Sequence, residues 1–113
     1  ETATAPGNGT DERIRLSTVH QAKGLEWDAV FVIGLADGMF PSQKALESTA
    51  DAEEEERRLF YVASTRARNE LYLTYPVLRQ TANYGEYPQS PSRFLENIPR
   101  QILDQWAPGR GYV

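Results

Sequence analysis

Three short segments of the chain carry the apolar patterning of β-strands. Residues 13–18 alternate between polar and apolar side chains, and residues 29–34 form a continuous apolar run of the kind found in strands that are buried on both faces. Residues 70–75 are rich in Leu and Tyr and predict the third strand. Residues 37–41, Asp-Gly-Met-Phe-Pro, predict a turn after the second strand, because proline cannot continue a strand ladder.

The principal helix is predicted over residues 50–67, where apolar side chains recur at helical spacing. The acidic residues 53–56 suit the positive end of the helix dipole. We therefore interpret them as a solvated helix start rather than as a metal or protein contact. Arg57 and Arg68 are expected to lie in solvent.

The C-terminal third is predicted to be less regular. Residues 81–91 are polar, with two Tyr, a Gly and two Pro, and predict a loop. Residues 92–98 follow a proline and predict a short helix with Ser92 as its N-cap. An apolar stripe then continues through three further side chains: Ile102, Leu103 and Trp106.

Alternation of strands with helices predicts an α/β fold with a parallel sheet and flanking helices. Three strands are few for such a sheet, which favours part of a larger α/β domain. We therefore expect a partial domain over residues 13–107, a flexible leader over residues 1–12 and a tail over residues 108–113. The first residue is Glu1 rather than Met, which favours a piece of a longer chain over a processed N-terminus.

Composition narrows the function classes. The 113 residues, 40% of them apolar, suffice for one small domain. The absence of cysteine excludes disulfides and thiolate metal sites. No apolar stretch approaches the roughly 20 residues of a membrane span, and no signal peptide is visible, so a cytoplasmic protein without a membrane partner is expected. The net charge of −4 lacks the basic footprint of an autonomous DNA binder, so any nucleic-acid contacts would work with surfaces of other domains.

The segment after the first predicted strand concentrates polar chemistry. A strand that ends at Thr18 would deliver Thr18, His20 and Lys23 into the crevice beyond its carboxyl end, and Gly24 would let the backbone turn. Hydroxyl, imidazole and ammonium groups suit phosphate oxygens or sugars, whereas Glu26 could orient a ribose hydroxyl or an arginine. Taken singly, a loop histidine and a solvated surface lysine remain open alternatives.

The end of the principal helix places an arginine on its apolar stripe. Leu59, Val62 and Arg66 lie on one line of the helix, so Arg66 is expected at the rim of the core, aimed into a cleft, whereas Arg58 and Tyr61 lie on an adjoining face. A guanidinium there could stabilise charge on a transferred phosphoryl group. The alternative is an arginine that merely complements the helix dipole.

Two longer motifs carry a family resemblance. Residues 16–28, LSTVHQAKGLEWD, and residues 53–67, EEEERRLFYVASTRA, resemble motifs V and VI of UvrD/Rep/PcrA-type superfamily-one DNA helicases. The resemblance extends from residue 13 to residue 99 and includes GLADGMFP and PSRFL. Two departures are mild: Trp27 stands where many relatives carry Phe, and Ala63 where many carry Gly.

The resemblance implies roles for the first motif. Thr18 and His20 are expected near the single-stranded DNA track. Lys23, Gly24 and Glu26 are expected between the DNA and the ATP cleft. The parent enzyme would be an ATP-dependent single-stranded-DNA translocase, and this chain the C-terminal part of its second RecA-like (P-loop NTPase type) domain.

The same resemblance makes Arg66 the arginine finger that reaches the γ-phosphate of ATP. The chain lacks a Gly-x-x-x-x-Gly-Lys-Ser/Thr phosphate loop and paired acids for magnesium. ATP and its magnesium would therefore be held chiefly by another domain of the parent chain, and the isolated chain is predicted to be inactive. The sheet edge where further strands belong favours dimerisation.

Two alternatives remain open. The chain could be a non-catalytic interaction module that uses its acidic helix start and Tyr84 and Tyr87 to recruit a protein. It could also derive from a helicase-nuclease of the RecB or AddA kind, which shares the same motifs.

Overall fold

The computed structural model describes residues 13–81, 83 and 85–105. Their helices and strands follow one another as α1 (Val19–Ala22), β1 (Trp27–Val32), α2 (Gln43–Leu46), α3 (Ala50–Ser64), β2 (Ala67–Leu73), β3 (Leu78–Thr81), β4 (Gly85–Pro88) and two 3₁₀-helices (Arg93–Asn97 and Arg100–Ile102). No helix of this described part is both long and apolar enough to cross a membrane.

Strands β1 and β2 pair in parallel, with Trp27 opposite Ala67 and Val32 opposite Leu73. Helix α3 forms the crossover that parallel neighbours require. Two of the three predicted strands and the mixed α/β class are thereby confirmed. Strand β1 begins two residues earlier, and β2 three residues earlier, than the apolar patterning indicates.

The first predicted strand is wrong as a strand of the sheet. Within residues 13–18 only Leu16 has bridge geometry, and Thr18 instead caps α1. Ile14 and Leu16 are 87% and 64% exposed, so no described element covers the apolar side of this segment. Alternation reveals an amphipathic segment, but a strand also needs a ladder partner, which the sequence does not reveal.

The predicted polar loop over residues 81–91 is also wrong. Strands β3 and β4 form an antiparallel hairpin in which Leu78 pairs with Pro88 and Thr81 with Gly85. Gly85 has a φ of 70°, a conformation that favours glycine and lets the chain enter β4. Tyr84 lies outside the described residues.

Helix α3 confirms the predicted principal helix but shows a different buried face. It begins after Thr49, whose hydroxyl accepts a hydrogen bond from the backbone N–H of Ala52. Its buried residues are Phe60 and Ala63. Leu59 and Val62 are only half-buried, so the apolar stripe is rotated by one residue from the predicted line.

An aromatic cluster forms the centre of the core. Phe94, on the first 3₁₀-helix, is 2% exposed and lies 5.6 Å from the ring of Phe60 and 5.4 Å from the ring of Phe40. The predicted N-cap is confirmed, because the hydroxyl of Ser92 accepts a hydrogen bond from Phe94 N at 3.1 Å. The backbone of Ser92 in turn donates to Leu35 O at 2.8 Å, which ties the 3₁₀-helix to the exit of β1.

The predicted apolar stripe beyond this helix is wrong where the structure describes it. Ile102 and Leu103 are 70% and 42% exposed, and Trp106 lies outside the described residues.

One face of the β1–β2 pair is uncovered in the described part of the chain. Helix α3 packs against the other face. On the uncovered face Phe31 stacks on Tyr72 with ring centroids 4.3 Å apart, yet Phe31 is 63% exposed. The sequence predicts flanking helices, and in the described residues α3 covers one of the two faces of the sheet.

Replacement of Phe94 by Ala should destabilise the fold. The change removes a fully buried ring and leaves a cavity between two other aromatic rings, which costs about 3–5 kcal/mol in comparable cores. Urea denaturation followed by circular dichroism measures the loss. Ile102→Ala, at an exposed position of the same region, should change the free energy of unfolding by less than about 0.5 kcal/mol. Equal effects of the two variants would contradict the assigned core.

Candidate functional site

Thr18 directly precedes α1, and His20 is the second residue of that helix. The Thr18 hydroxyl accepts a hydrogen bond from Gln21 N at 3.2 Å, and its carbonyl accepts one from Ala22 N at 3.1 Å. Thr18 is therefore the N-cap of the helix, and its hydroxyl proton stays available for a further acceptor. His20 is exposed.

A shallow apolar groove of about 640 Å³ lies at the carboxyl ends of β1 and β2. Its lining comes from the start of α1, from the exits of both strands and from the turn after β1: Val19, Ile33, Gly34, Met39, Phe40, Thr74, Tyr75 and Pro76. Because Val19 stands between Thr18 and His20 in the chain, the backbone of both candidates lies at this end of the sheet.

The rest of the first motif leads to the opposite end. After α1 the chain turns through Lys23 and Gly24, whose φ of 86° is the left-handed conformation that favours glycine. Glu26 then precedes β1, and Trp27 N donates to Arg66 O at 2.9 Å. This bond places the end of the first motif beside the end of the second, where both strands begin.

No strand of the described residues delivers Thr18, His20 and Lys23 into a crevice, yet the single turn of α1 keeps Lys23 close to Thr18, since Ala22 N donates to Thr18 O at 3.1 Å. Their meeting in one crevice stays a prediction. Val19 lines the groove at the carboxyl ends of the strands, whereas the turn through Lys23 leads to their amino ends. The six residues of β1 separate the two ends by about 20 Å. The first motif runs along the sheet because its predicted strand is absent and a one-turn helix takes over directly after Thr18.

Arg66 lies between α3 and β2 rather than within the helix. Its backbone N–H donates to Ala63 O at 3.2 Å, and its Nη2 donates to the Thr65 hydroxyl at 3.2 Å. Its Nε is buried and has no hydrogen-bond partner among the described residues. No carboxylate of the described part lies within ion-pair distance of this guanidinium.

Four other arginines each contact a carboxylate. The pairs are Arg57 with Glu53 and Glu54, Arg58 with Glu55, Arg68 with Asp28, and Arg93 with Asp37 and Glu53. Arg66 differs from these because no carboxylate of the described residues compensates its charge; a buried Nε without a partner is a feature that it shares with Arg93. A guanidinium in that state is suited to bind an anionic ligand in a forked geometry.

Arg68 links the two motifs a second time. Its Nη2 lies 3.5 Å from Glu26 O, and its Nε lies 3.5 Å from a carboxylate oxygen of Asp28. Asn69 also donates to Asp28, at 3.4 Å. Arg68 is 56% exposed, as predicted, so these contacts orient the strand ends more than they stabilise them.

The acidic helix start is not the solvated feature that the sequence predicts. Glu54 and Glu55 are exposed, but Glu53 and Glu56 are half-buried and hold groups from outside the helix. Arg57, predicted in solvent, is half-buried, and its guanidinium lies 4.9 Å from the centre of the Phe94 ring.

Arg58 and Tyr61 lie on the solvent side of α3, with the Arg58 side chain 66% and Tyr61 69% exposed. The hydrogen bond from Arg58 to Glu55 raises the pKa of this guanidinium above its ordinary value.

Sequence reasoning missed the residues that hold α3 to its surroundings. Glu56 accepts two hydrogen bonds from Ser42, and Arg93 joins Asp37 to Glu53. The hydrogen bond to Asp37 raises the pKa of the Arg93 guanidinium above its ordinary value. Ser42 was detectable as an N-cap before a short helical pattern, but the partners of the other residues are distant in sequence.

No group of three or more His, Asp or Glu side chains in the described residues could hold a metal ion.

Comparison with known proteins adds a family to this geometry. Residues 3–77 match the family model described as the UvrD-like helicase C-terminal domain. ATP-dependent DNA helicase PcrA of Staphylococcus aureus (strain MRSA252) is 43% identical over 104 residues, which cover 89% of this chain and 14% of that protein. ATP-dependent DNA helicase UvrD2 of Mycobacterium tuberculosis (strain CDC 1551 / Oshkosh) is 47% identical over 98 residues, which cover 85% of this chain and 14% of that protein. The chain thus spans about one seventh of the length of these relatives.

Replacement of Thr18 by Ala should weaken α1, because it removes the side chain that caps the Gln21 amide. The expected cost is about 1 kcal/mol in the free energy of unfolding, measured by urea denaturation, with faster hydrogen exchange at Gln21. Thr18→Ser keeps the cap and should behave like the unchanged chain. Equal destabilisation by Ala and Ser would contradict the capping role.

Proposed function

The chain belongs to the UvrD-like helicase C-terminal domain family, and from this membership we propose that it is the C-terminal segment of an ATP-dependent DNA helicase. In this proposal the parent protein moves along single-stranded DNA as it hydrolyses ATP. The chain supplies motif V, which contacts DNA and nucleotide, and the arginine finger of motif VI. The printed names of both relatives, ATP-dependent DNA helicases, support the proposal.

Two features of Arg66 carry the catalytic part of the proposal. Its guanidinium has no carboxylate partner in the described part, and its carbonyl oxygen accepts a hydrogen bond from Trp27 N. A pocket at the amino ends of β1 and β2 would place Lys23, Gly24 and Glu26 near the same nucleotide. There Arg66 would neutralise charge that develops on the γ-phosphoryl group, and Glu26 would orient a ribose hydroxyl.

The DNA part of the proposal concerns the other end of the sheet. Thr18 has a hydroxyl proton free to donate to a phosphate oxygen, and His20 is exposed beside it. The apolar groove next to them offers a surface for a base or sugar. Single-stranded DNA and ATP would then lie at opposite ends of the same parallel pair.

The proposal assigns the remaining parts to the rest of the parent chain. The phosphate loop and the acids that hold magnesium would come from a first RecA-like domain, and further strands would complete the sheet of the second, of which this chain would be a part. The uncovered strand edges of the β1–β2 pair would otherwise favour dimerisation.

Replacement of Arg66 by Ala in the full-length protein should reduce the rate of ATP turnover by roughly 10³- to 10⁵-fold, the range for arginine fingers in other nucleotide hydrolases. Single-stranded DNA affinity should change little, because Arg66 lies at the other end of the sheet. Steady-state ATPase assays and DNA titrations measure the two effects. Arg66→Lys should turn over ATP little faster than Arg66→Ala, because an ammonium lacks the planar, bidentate donor geometry of a guanidinium.

The matched control is Arg100→Ala, at an exposed arginine of the second 3₁₀-helix, which should leave ATP turnover near that of the unchanged protein. Turnover by the Arg66→Ala variant within a few-fold of the unchanged protein would refute the arginine-finger assignment.

The isolated chain should neither bind nor hydrolyse ATP at a measurable rate, with or without single-stranded DNA, because it supplies only one side of the proposed pocket. Restoring the upstream domains of the parent protein should restore activity. Turnover by the isolated chain would instead require a nucleotide site outside this proposal.

A further inference from the structure

We propose that Glu56 and Arg93 are positioning residues that fix α3 to the groove wall, so that the DNA end of the sheet controls the placement of Arg66. The inference rests on the proposed function, because it assumes that Arg66 acts on ATP and that DNA binds at the groove end. Neither Glu56 nor Arg93 takes part in the contacts with ATP or DNA that the proposed function assigns.

Glu56 is bound to a single residue through both of its carboxylate oxygens. Oε1 accepts a hydrogen bond from Ser42 N at 2.8 Å, and Oε2 accepts one from the Ser42 hydroxyl at 2.8 Å. Ser42 also caps α2, since its hydroxyl accepts a hydrogen bond from Ala45 N at 3.2 Å. Short, partly buried bonds to a charged acceptor are among the stronger hydrogen bonds in proteins.

Arg93 makes a second connection to the same helix. Its Nη1 donates to Glu53 at 3.2 Å, its Nη2 donates to Asp37 at 3.3 Å, and its backbone N–H donates to Asp37 at 3.0 Å. Arg93 therefore bridges α3 to the turn that follows β1. The side chains of Asp37 and Glu53 are 26% and 24% exposed, so solvent screens these contacts less than those of a surface pair.

Both connections end on the turn that forms one wall of the groove. Met39 and Phe40 line the groove, and in the sequence they lie between Asp37 and Ser42. Phe40 also packs against Phe60 of α3, with ring centroids 6.2 Å apart. A displacement of the groove wall by a ligand must therefore move α3 or break these contacts.

The same helix leads to Arg66. Its 15 residues span about 22 Å, and Thr65, which ends it, donates from its backbone to Tyr61 O and from its hydroxyl to Val62 O. Arg66 follows directly. An α-helix is stiff over this length, so a shift at Glu56 would be carried to the guanidinium.

The alternative is that Glu56 and Arg93 only stabilise the fold. The two cases differ in one measurable quantity, the factor by which saturating single-stranded DNA raises ATP turnover above its basal rate. A residue that only stabilises the fold changes the melting temperature and leaves this factor unchanged. A residue that transmits the DNA signal lowers the factor itself.

The test uses the full-length protein with Glu56→Gln, Ser42→Ala and the double variant. Glutamine keeps the size of the side chain but carries no charge and has an acceptor oxygen at only one of the two positions, so it cannot reproduce the two bonds that Ser42 donates to separate oxygens. Glu55→Gln is the matched control, because Glu55 is the neighbouring acid, its side chain is 60% exposed and, among the described residues, it bonds only to Arg58. Basal turnover, turnover at saturating single-stranded DNA and melting temperature are measured for each.

We expect Glu56→Gln to lower the stimulation factor by roughly three- to tenfold, a typical size for the loss of one coupling contact. Ser42→Ala should lower it in the same direction, and the double variant should fall no further than Glu56→Gln, because both changes remove one shared contact. Glu55→Gln should leave the factor unchanged.

An unchanged stimulation factor in Glu56→Gln and Ser42→Ala, with or without a lower melting temperature, would overturn the inference. Additive losses in the double variant would also overturn it, because the two residues would then act separately. If Glu56→Gln does not fold, Ser42→Ala alone decides, since it removes one of the two bonds. If Arg66→Ala loses turnover while stimulation is unaltered in Glu56→Gln and Ser42→Ala, this inference is overturned and the proposed function stands.

Discussion

The parallel pairing of β1 with β2 is the constraint that places both ends of the candidate site. Parallel strands bring the residues that precede them to one end and the residues that follow them to the other. Glu26 and Arg66 precede the two strands, and the bond from Trp27 N to Arg66 O is the first contact between them. The exits of the same strands supply much of the apolar groove. This pairing joins two motifs that are distant in sequence.

The distribution of ion pairs separates structural arginines from the candidate catalytic one. Glutamates at the start of α3 pair with Arg57 and Arg58 of the same helix and with Arg93 of the first 3₁₀-helix. Arg66 has no such partner in the described residues, and its buried Nε, like that of Arg93, has no acceptor there. Leaving a buried donor unpaired is costly, and such groups concentrate where a ligand or another domain completes the bond. A chain of net charge −4 can therefore still present Arg66, which has no carboxylate partner in the described residues, to an anionic ligand.

The sequence predicted those elements whose burial pattern is local. The apolar run over residues 29–34 and the helical spacing over residues 50–67 correspond to β1 and α3, and Ser92 acts as the predicted N-cap. The segment over residues 13–18 was misassigned, because alternation does not reveal whether a ladder partner exists. The hairpin was missed, because its strands are short and exposed on both sides.

The candidate site was predictable as a set of residues but not as a geometry. Family resemblance selected Arg66 and Lys23, while the structure shows that Thr18 and Lys23 cap the two ends of the one-turn helix α1. The contacts of Glu56 and Arg93 join segments 14 to 56 residues apart, and no local pattern encodes such pairs. The acidic run was therefore read as a solvated helix start, although two of its members hold the turn after β1.

The most direct test of the account is the structure of the full-length protein with a non-hydrolysable ATP analogue and single-stranded DNA. We predict that the Arg66 guanidinium contacts the γ-phosphate and that Glu26 lies beside the ribose. The DNA should lie at the opposite end of the β1–β2 pair, near His20. A nucleotide bound at the groove end, or an Arg66 side chain paired with a carboxylate of another domain while ATP is bound, would contradict this prediction.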